Sequence, residues 1–410
     1  MLRSMHLISG ISAVCTCVRA PDSAKRTLFF LPLYFLMVYF SRLLLVYLLF
    51  DGIQVLKALP AQTGLAFDDA DKPKITLKPD GSFKIVVMSD VHFGEDAWTE
   101  WGPAQDRHTL NLFNKVLREE NMDYVVLLGD QITGENTFKH NSTLYIDKIV
   151  GPLNEIGVPF SSIHGNHDNQ ANITHLAEIK RERQISPNSY TRSSPTGIGG
   201  EGGEGNYWVP IYQRADDLAP SLILWFFDSR GGYSPGPDSH PIEDWVHPSV
   251  AGWIQTETQR MNDAWGPASN RGALAFVHIP PYLARELQAN LNSTVSPGLN
   301  DDQIGEGSSQ PEGKDTIFWN ALITHVPNLH AVISGHDHGN EWCARERKDR
   351  VVFCFAKHSG YGGYNGSGWG WGVRDLVFEQ FDTISSMKTW IRMENGDVKG
   401  FLNINDAFDP

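Results

Sequence analysis

Aspartate, asparagine and histidine recur along this 410-residue chain, each soon after a short apolar run. Asp90-x-His92 follows FKIVVM, Gly129-Asp130 follows YVVLL, and Gly165-Asn166-His167-Asp168 follows a run that ends at Ile163. Asp228 follows LILWFF, His278 follows a run ending at Val277, and Gly335-His336-Asp337-His338 follows one ending at Ser334. Carboxylates mixed with imidazoles suit zinc, manganese or iron, whereas calcium takes oxygen ligands. Asp90, His92, Asp130, Asn166, His278, His336 and His338 are too many donors for one tetrahedral ion and enough for two ions sharing a carboxylate. Singly, each motif says little, since an Asp-x-His after a strand is usually a capped loop. Their order, and their placement after strands, carries the signal. Gly165 lets backbone approach a ligand, and His336 and His338, on alternate positions of an extended segment, point the same way.

The apolar runs must place these side chains. Continuous runs of four to six apolar residues are what strands buried on both faces look like. Between the first two lies a helical stretch, Arg107 to Glu120, with Leu110, Phe113, Val116 and Leu117 on one stripe. Strand, helix, strand at this spacing is a βαβ unit, hence a largely parallel sheet, and ligands gather beyond the carboxyl ends of such strands. Six strand ends are therefore expected to converge on one site. Gly197–Gly205 reads as a mobile surface loop, and Ser296–Lys314 as another. His164 reads as a satisfied core residue, His108 as an exposed helical one, and Trp369 and Trp371 as hairpin packing. Asp168 and Asp337 read as orienters of neighbouring histidines.

The motif series, over roughly residues 82–378, resembles the calcineurin-like metallophosphoesterase superfamily. His278-Ile279-Pro280 and the tail from Cys354 to Tyr364 resemble a fungal phosphatase group related to plant purple-acid-phosphatase-like proteins. The resemblance implies an α/β fold, a metallophosphoesterase-type two-sheet β-sandwich flanked by helices, with a dinuclear metal site at strand carboxyl ends. It implies Asp90, His92 and His338 on one metal, Asn166, His278 and His336 on the other, Asp130 bridging, and His167 as the catalytic histidine. The cofactors so implied are two divalent or trivalent ions, Fe, Mn or Zn. Purple acid phosphatases carry an iron-binding tyrosine three residues after the bridging aspartate, where this chain has Thr133, and they lack the histidine found here at 92. A purple Fe(III)–tyrosinate site is therefore not expected. His358, soon after the paired histidines, is a candidate for the substrate pocket.

Such a site is cationic and favours a phosphate dianion. Water between two ions loses a proton near neutral pH and can attack phosphorus while His167 protonates the leaving oxygen. The chain shows no Ser or Cys motif for a covalent intermediate. The expected activity is hydrolysis of phosphate monoesters. A phosphodiesterase, such as a sphingomyelinase-like lipid hydrolase or a nucleotide diester hydrolase, is the alternative, and a non-catalytic regulatory protein on the same scaffold is a third reading. No ligand is missing, which opposes the last. The substrate class stays open.

A formal charge of −14 leaves no basic surplus for gripping nucleic acid, and 38 Gly with 23 Pro excludes collagen-like chains. Residues 1–70 differ from the rest and read as a targeting or membrane segment with a linker, ahead of a phosphoesterase domain at 71–410. Leu28 to Phe50 is nearly all apolar, broken by Ser41 and Arg42, and at roughly 34 Å of helix is long enough to cross a bilayer. Lys25 and Arg26 before it would keep the N-terminus cytosolic. The segment would then be a signal-anchor, a cleaved signal peptide, or a shorter signal beginning at Met37. Each leads into the secretory route, to a lumenal or extracellular catalytic domain. Sequons at Asn141, Asn172, Asn292 and Asn365 are glycosylation candidates there. Cys343 and Cys354 flank a charged turn, so a local disulfide is one reading and two unpaired buried thiols the other.

Overall fold

Two sheets share one apolar interior in a computed structural model that describes residues 72–409. The apolar run at 28–50, with Cys15 and Cys17, lies outside the described residues. The first sheet has the order β1 (Ile75–Thr76), β5 (Tyr207–Tyr212), β6 (Leu222–Phe227), β7 (Gly272–Val277), β8 (Leu329–Ser334), β10 (Val352–Phe355) and β9 (Cys343–Arg345). The second runs β13 (Val398–Ile404), β12 (Met387–Met393), β11 (Gly372–Phe378), β2 (Phe83–Met88), β3 (Tyr124–Leu128) and β4 (Phe160–Ile163). Parallel pairing joins β2, β3 and β4, and likewise β6, β7, β8 and β10. The other pairs are antiparallel, apart from β1 with β5.

Burial on both faces explains the unbroken apolar runs. In β2, Ile85 and Val87 face the other sheet, while Val86 and Met88 face helices α1 (Trp101–Glu119) and α2 (Leu144–Ile156). In the first sheet, Phe226 and Phe276 stack inside at 5.2 Å between ring centroids. Trp225 and Phe227 point outward under α4 (Ser249–Trp265) and α6 (Thr316–His325). Each phenylalanine so buried contributes roughly 1.5–3 kcal/mol. Helices α3 (His175–Ile185) and α5 (Leu283–Ala289) complete the set.

The expected two-sheet α/β architecture is present, with three differences of detail. Helix α1 starts six residues before Arg107, at Trp101, because Pro103 is tolerated within a first helical turn. Among the strands, β11 to β13 extend the second sheet antiparallel. The stretch Gly197–Gly205 is tied down rather than a free surface loop, since Asn169 Nδ2 donates to Gly202 O at 2.9 Å and Ser194 N to Glu204 O at 2.6 Å. The charged turn is a hairpin in which Cys343 and Cys354 stand opposite and form a disulfide.

Candidate metal centre

Tight turns after the strands aim the polar residues inward. Asp90, His92, Asp130 and His336 have φ of 53°, 48°, 46° and 75°, left-handed conformations that cost on the order of 1–3 kcal/mol each for such residues. The cost is met by bonds between turns: Asp90 N donates to Gly129 O at 3.1 Å, and His92 N to Asp130 O at 3.0 Å. Gly129, at φ 88°, must be glycine for its conformation and because a Cβ there would strike the His278 ring. At Gly165 a Cβ would strike both Asp130 and His278.

Two groups of donors result. Asp90, His92 and His338 form one, and Asp130, His278 and His336 the other, the chosen atoms of each lying within 4.8 Å of one another. Asp130 Oδ2 reaches both, being 3.0 Å from His278 Nε2 and 3.8 Å from His92 Nε2. His338 Nε2 is 3.7 Å from Asp90 Oδ1. The carboxylates are held in turn, Asp90 by Ser89 Oγ at 2.6 Å and His336 N at 3.0 Å, Asp130 by His167 N at 2.9 Å.

Each imidazole has one nitrogen engaged and offers the other. His278 Nδ1 meets Leu128 O at 2.8 Å, His338 Nδ1 meets Tyr364 O at 2.6 Å, and His92 Nδ1 meets Thr133 Oγ1 at 3.1 Å. His336 is reversed, with Nε2 on Gly307 O at 3.2 Å. What remains is a set of buried atoms with no partner, His92 Nε2, Asn166 Oδ1 and His336 Nδ1, beside His278 Nε2, which faces the Asp130 carboxylate. Buried lone pairs of this kind cost free energy unless something binds them, and this donor set fits two transition-metal ions.

Burial pushes His92 well down and, with the nearby His278, His336 to about 4, so both are neutral donors. Burial also lowers His278, but Asp130 and its hydrogen bond outweigh that and raise it to about 10. A cation held by His278 and Asp130 would take the place of that proton. His167 is 34% exposed and its Nδ1 lies 2.7 Å from Glu135 Oε1. Burial lowers it, and Asp130 with Glu135 raise it to about 9. Its ring centroid is 5.0 Å from that of His92.

The calcineurin-like phosphoesterase family model matches residues 83–340. The chain belongs to that family. Similar proteins include the "Probable inactive purple acid phosphatase 28" of Arabidopsis thaliana, 27% identical over 347 residues covering 78% of this chain and 83% of the relative. Phosphatase DCR2 of Saccharomyces cerevisiae is 29% identical over 360 residues, which cover 83% of this chain and 58% of that longer protein. A crystal structure of a dimetal phosphatase from Danio rerio superposes with a TM-score of 0.49 at 13% identity, covering 79% of this chain and 98% of that one.

Within this family member, some readings of single residues change. Asp228 follows its strand as expected but pairs with His175 Nδ1 at 2.8 Å, in neither donor group. Asp168 accepts from the backbone of Gln131, Ile132 and Gly165 and so fixes turns, not a histidine. Asp337 also makes no hydrogen bond to a histidine ring, since both neighbours use backbone oxygens. His164 is buried, yet both of its nitrogens lack partners. His358 sits behind His338, donating to its carbonyl at 2.8 Å, and does not line the cavity at the centre. Trp369 does more than pack, donating Nε1 to Asp301 at 2.7 Å. Asn292 and Asn365 are exposed, whereas Asn172 Nδ2 already donates to Gly134 O at 3.1 Å and to Thr137 O. Glu135 and Asp302 went unread in sequence, because one sits in a three-residue turn and the other in a loop.

Proposed function

We propose that this chain hydrolyses phosphate monoesters with two bound metal ions. Asp90, His92 and His338 would hold one ion, Asn166, His278 and His336 the other, with Asp130 between them. One observation carries the reading: buried nitrogens of His92, His278 and His336, from three strand ends, are gathered around the Asp130 carboxylate with no other hydrogen-bond partner. Bound there, the ions would supply an acidified water and positive charge for the phosphoryl oxygens. The rest belongs to the protein. Glu135 holds His167 by Nδ1, which leaves Nε2 for the leaving oxygen of an ester. Asp130 fixes the same residue by its backbone N–H, so donor and metal cluster are set in one frame. The cavity that His92, Asp130, His167, His336 and His338 help to line is small, about 270 Å³, which suits one substituent on phosphorus better than two.

The relatives named inactive make activity the point to test. Purified protein should carry two ions per chain and hydrolyse 4-nitrophenyl phosphate faster than bis(4-nitrophenyl) phosphate, both rates falling on chelation. A faster diester rate would reverse the assignment. Full metal loading without any turnover would leave a non-catalytic protein.

A further inference from the structure

The cavity beside the cluster has two unlike ends. At one end stand the donor histidines His92, His336 and His338 with His167; at the other stand Asp302, Ser308 and Tyr364, partly or fully exposed, with Asp337 buried beside them. The outer end is built from three segments: the 296–314 loop, the turn between β8 and β9, and the glycine-rich tail. Among the described residues no lysine or arginine lines the cavity, so its outer end has nothing there to attract a second anion. A carboxylate or second phosphate there would face Asp302 and Asp337.

Asp337 is the telling residue. It is 3% exposed, and its Oδ2 has no hydrogen-bond partner, although Ser308 lies against the carboxyl group. The histidines on either side do not use it. Asp302 is held in place, accepting from the Tyr364 hydroxyl and from Gly339 N at 3.4 Å. Tyr364 is fixed as well, stacked on His338 at 4.1 Å while remaining 49% exposed. The Asp302 carboxylate, the buried carboxyl of Asp337 and an aromatic ring, lining one small cavity, form a receptor for an ammonium group. We infer that Asp302, Asp337 and Tyr364 form a subsite for a cationic leaving group, so that the preferred esters are phosphates of amino or quaternary-ammonium alcohols. The inference rests on the monoesterase reading and adds the substrate class. A third metal ion could supply the same positive charge, and the test separates the two.

The test uses the metal-loaded full chain with phosphocholine and its uncharged isostere, 3,3-dimethylbutyl phosphate. The ratio of kcat/KM between them should favour phosphocholine by about tenfold, with 3-phosphoglycerate the poorest substrate. Asp302→Asn should bring that ratio close to one, and Asp337→Asn should lower it too; a ratio taken within one preparation is insensitive to partial misfolding. A wild-type ratio near one, or one unmoved by Asp302→Asn, overturns the subsite. A third ion per chain, whose removal abolishes the preference, overturns it in favour of a metal. If no ester turns over, the monoesterase reading fails, and the ratio of calorimetric binding constants for the two phosphates still decides the subsite.

Discussion

Two buried clusters of histidine and carboxylate lie close together in this fold, and only one has the form of a metal centre. In the inner one, His175 has both nitrogens engaged, by Asp228 at 2.8 Å and Gly165 O at 2.9 Å. His164 stacks against it at 5.1 Å, and Glu178 is 3.7 Å from His164. Burial makes these last two neutral, lowering His164 to about 3 and raising Glu178 well above the usual carboxyl range. Neither lines the cavity. In the outer cluster, the spare nitrogens of four histidines converge on Asp90 and Asp130, the latter held well below the usual range by His278 and His167 against its burial. Composition does not separate the two clusters. Nor do unpartnered atoms, which both contain; what does is whether those atoms open onto a cavity.

The sharpest break in the comparison comes from substitutions in the outer cluster. Asp130→Ala should cost about 10⁴-fold in turnover of an aryl phosphate and at least one ion per chain, with the circular dichroism spectrum unchanged. Retained turnover would remove the cluster from the chemistry. His167→Ala should keep both ions and lose about 10³-fold on alkyl phosphates, less on aryl ones whose leaving group needs no proton. Equal losses on both would deny it the role of acid.

The inner cluster should respond in stability instead. His175→Gln leaves Asp228 buried without its partner and should cost about 3 kcal/mol, roughly 150-fold in the folding constant. Both metal ions should remain. Burial lowers His175, but Asp228 outweighs this and raises it to about 9. Its contribution is therefore complete below the unfolded value near 6.5 and is lost as pH rises through 9. Wild-type melting temperature should fall over that interval more than the variant's does; parallel curves would show that the pair does not set the slope. The smallest effect belongs to Glu135→Gln, about tenfold in turnover, since it weakens a charge-assisted bond but keeps its shape. Rates for the His167→Ala and double variants should then coincide, because Glu135 acts only through that ring.

The parallel strands were legible because burial on both faces leaves unbroken apolar runs such as LILWFF. Strands β12 and β13 were not, because β12 alternates buried with half-buried residues and β13 is mostly exposed. All seven proposed ligands could be read in sequence because each ends a readable strand. Asp228 met the same criterion and went elsewhere, since position after a strand does not say which neighbour claims a side chain. Glu135 and Asp302 meet no periodic criterion at all. Glu135 reaches His167 through the path of a turn, and Asp302 reaches the cavity through that of a loop, which only the folded chain reveals.

The Cys343–Cys354 bond sits at the sheet edge, yet what leaves its two ends concerns the centre. Upstream, the chain runs back through Trp342 and Glu341 to His338; downstream, it runs on through Lys357 to His358 and Tyr364. His338 and Tyr364 then meet again as stacked rings. The bridge is thus a buckle on a strap that wraps the mouth of the site. Closing so short a loop contributes roughly 2–3 kcal/mol, and a reducing agent would slacken both arms of that strap together.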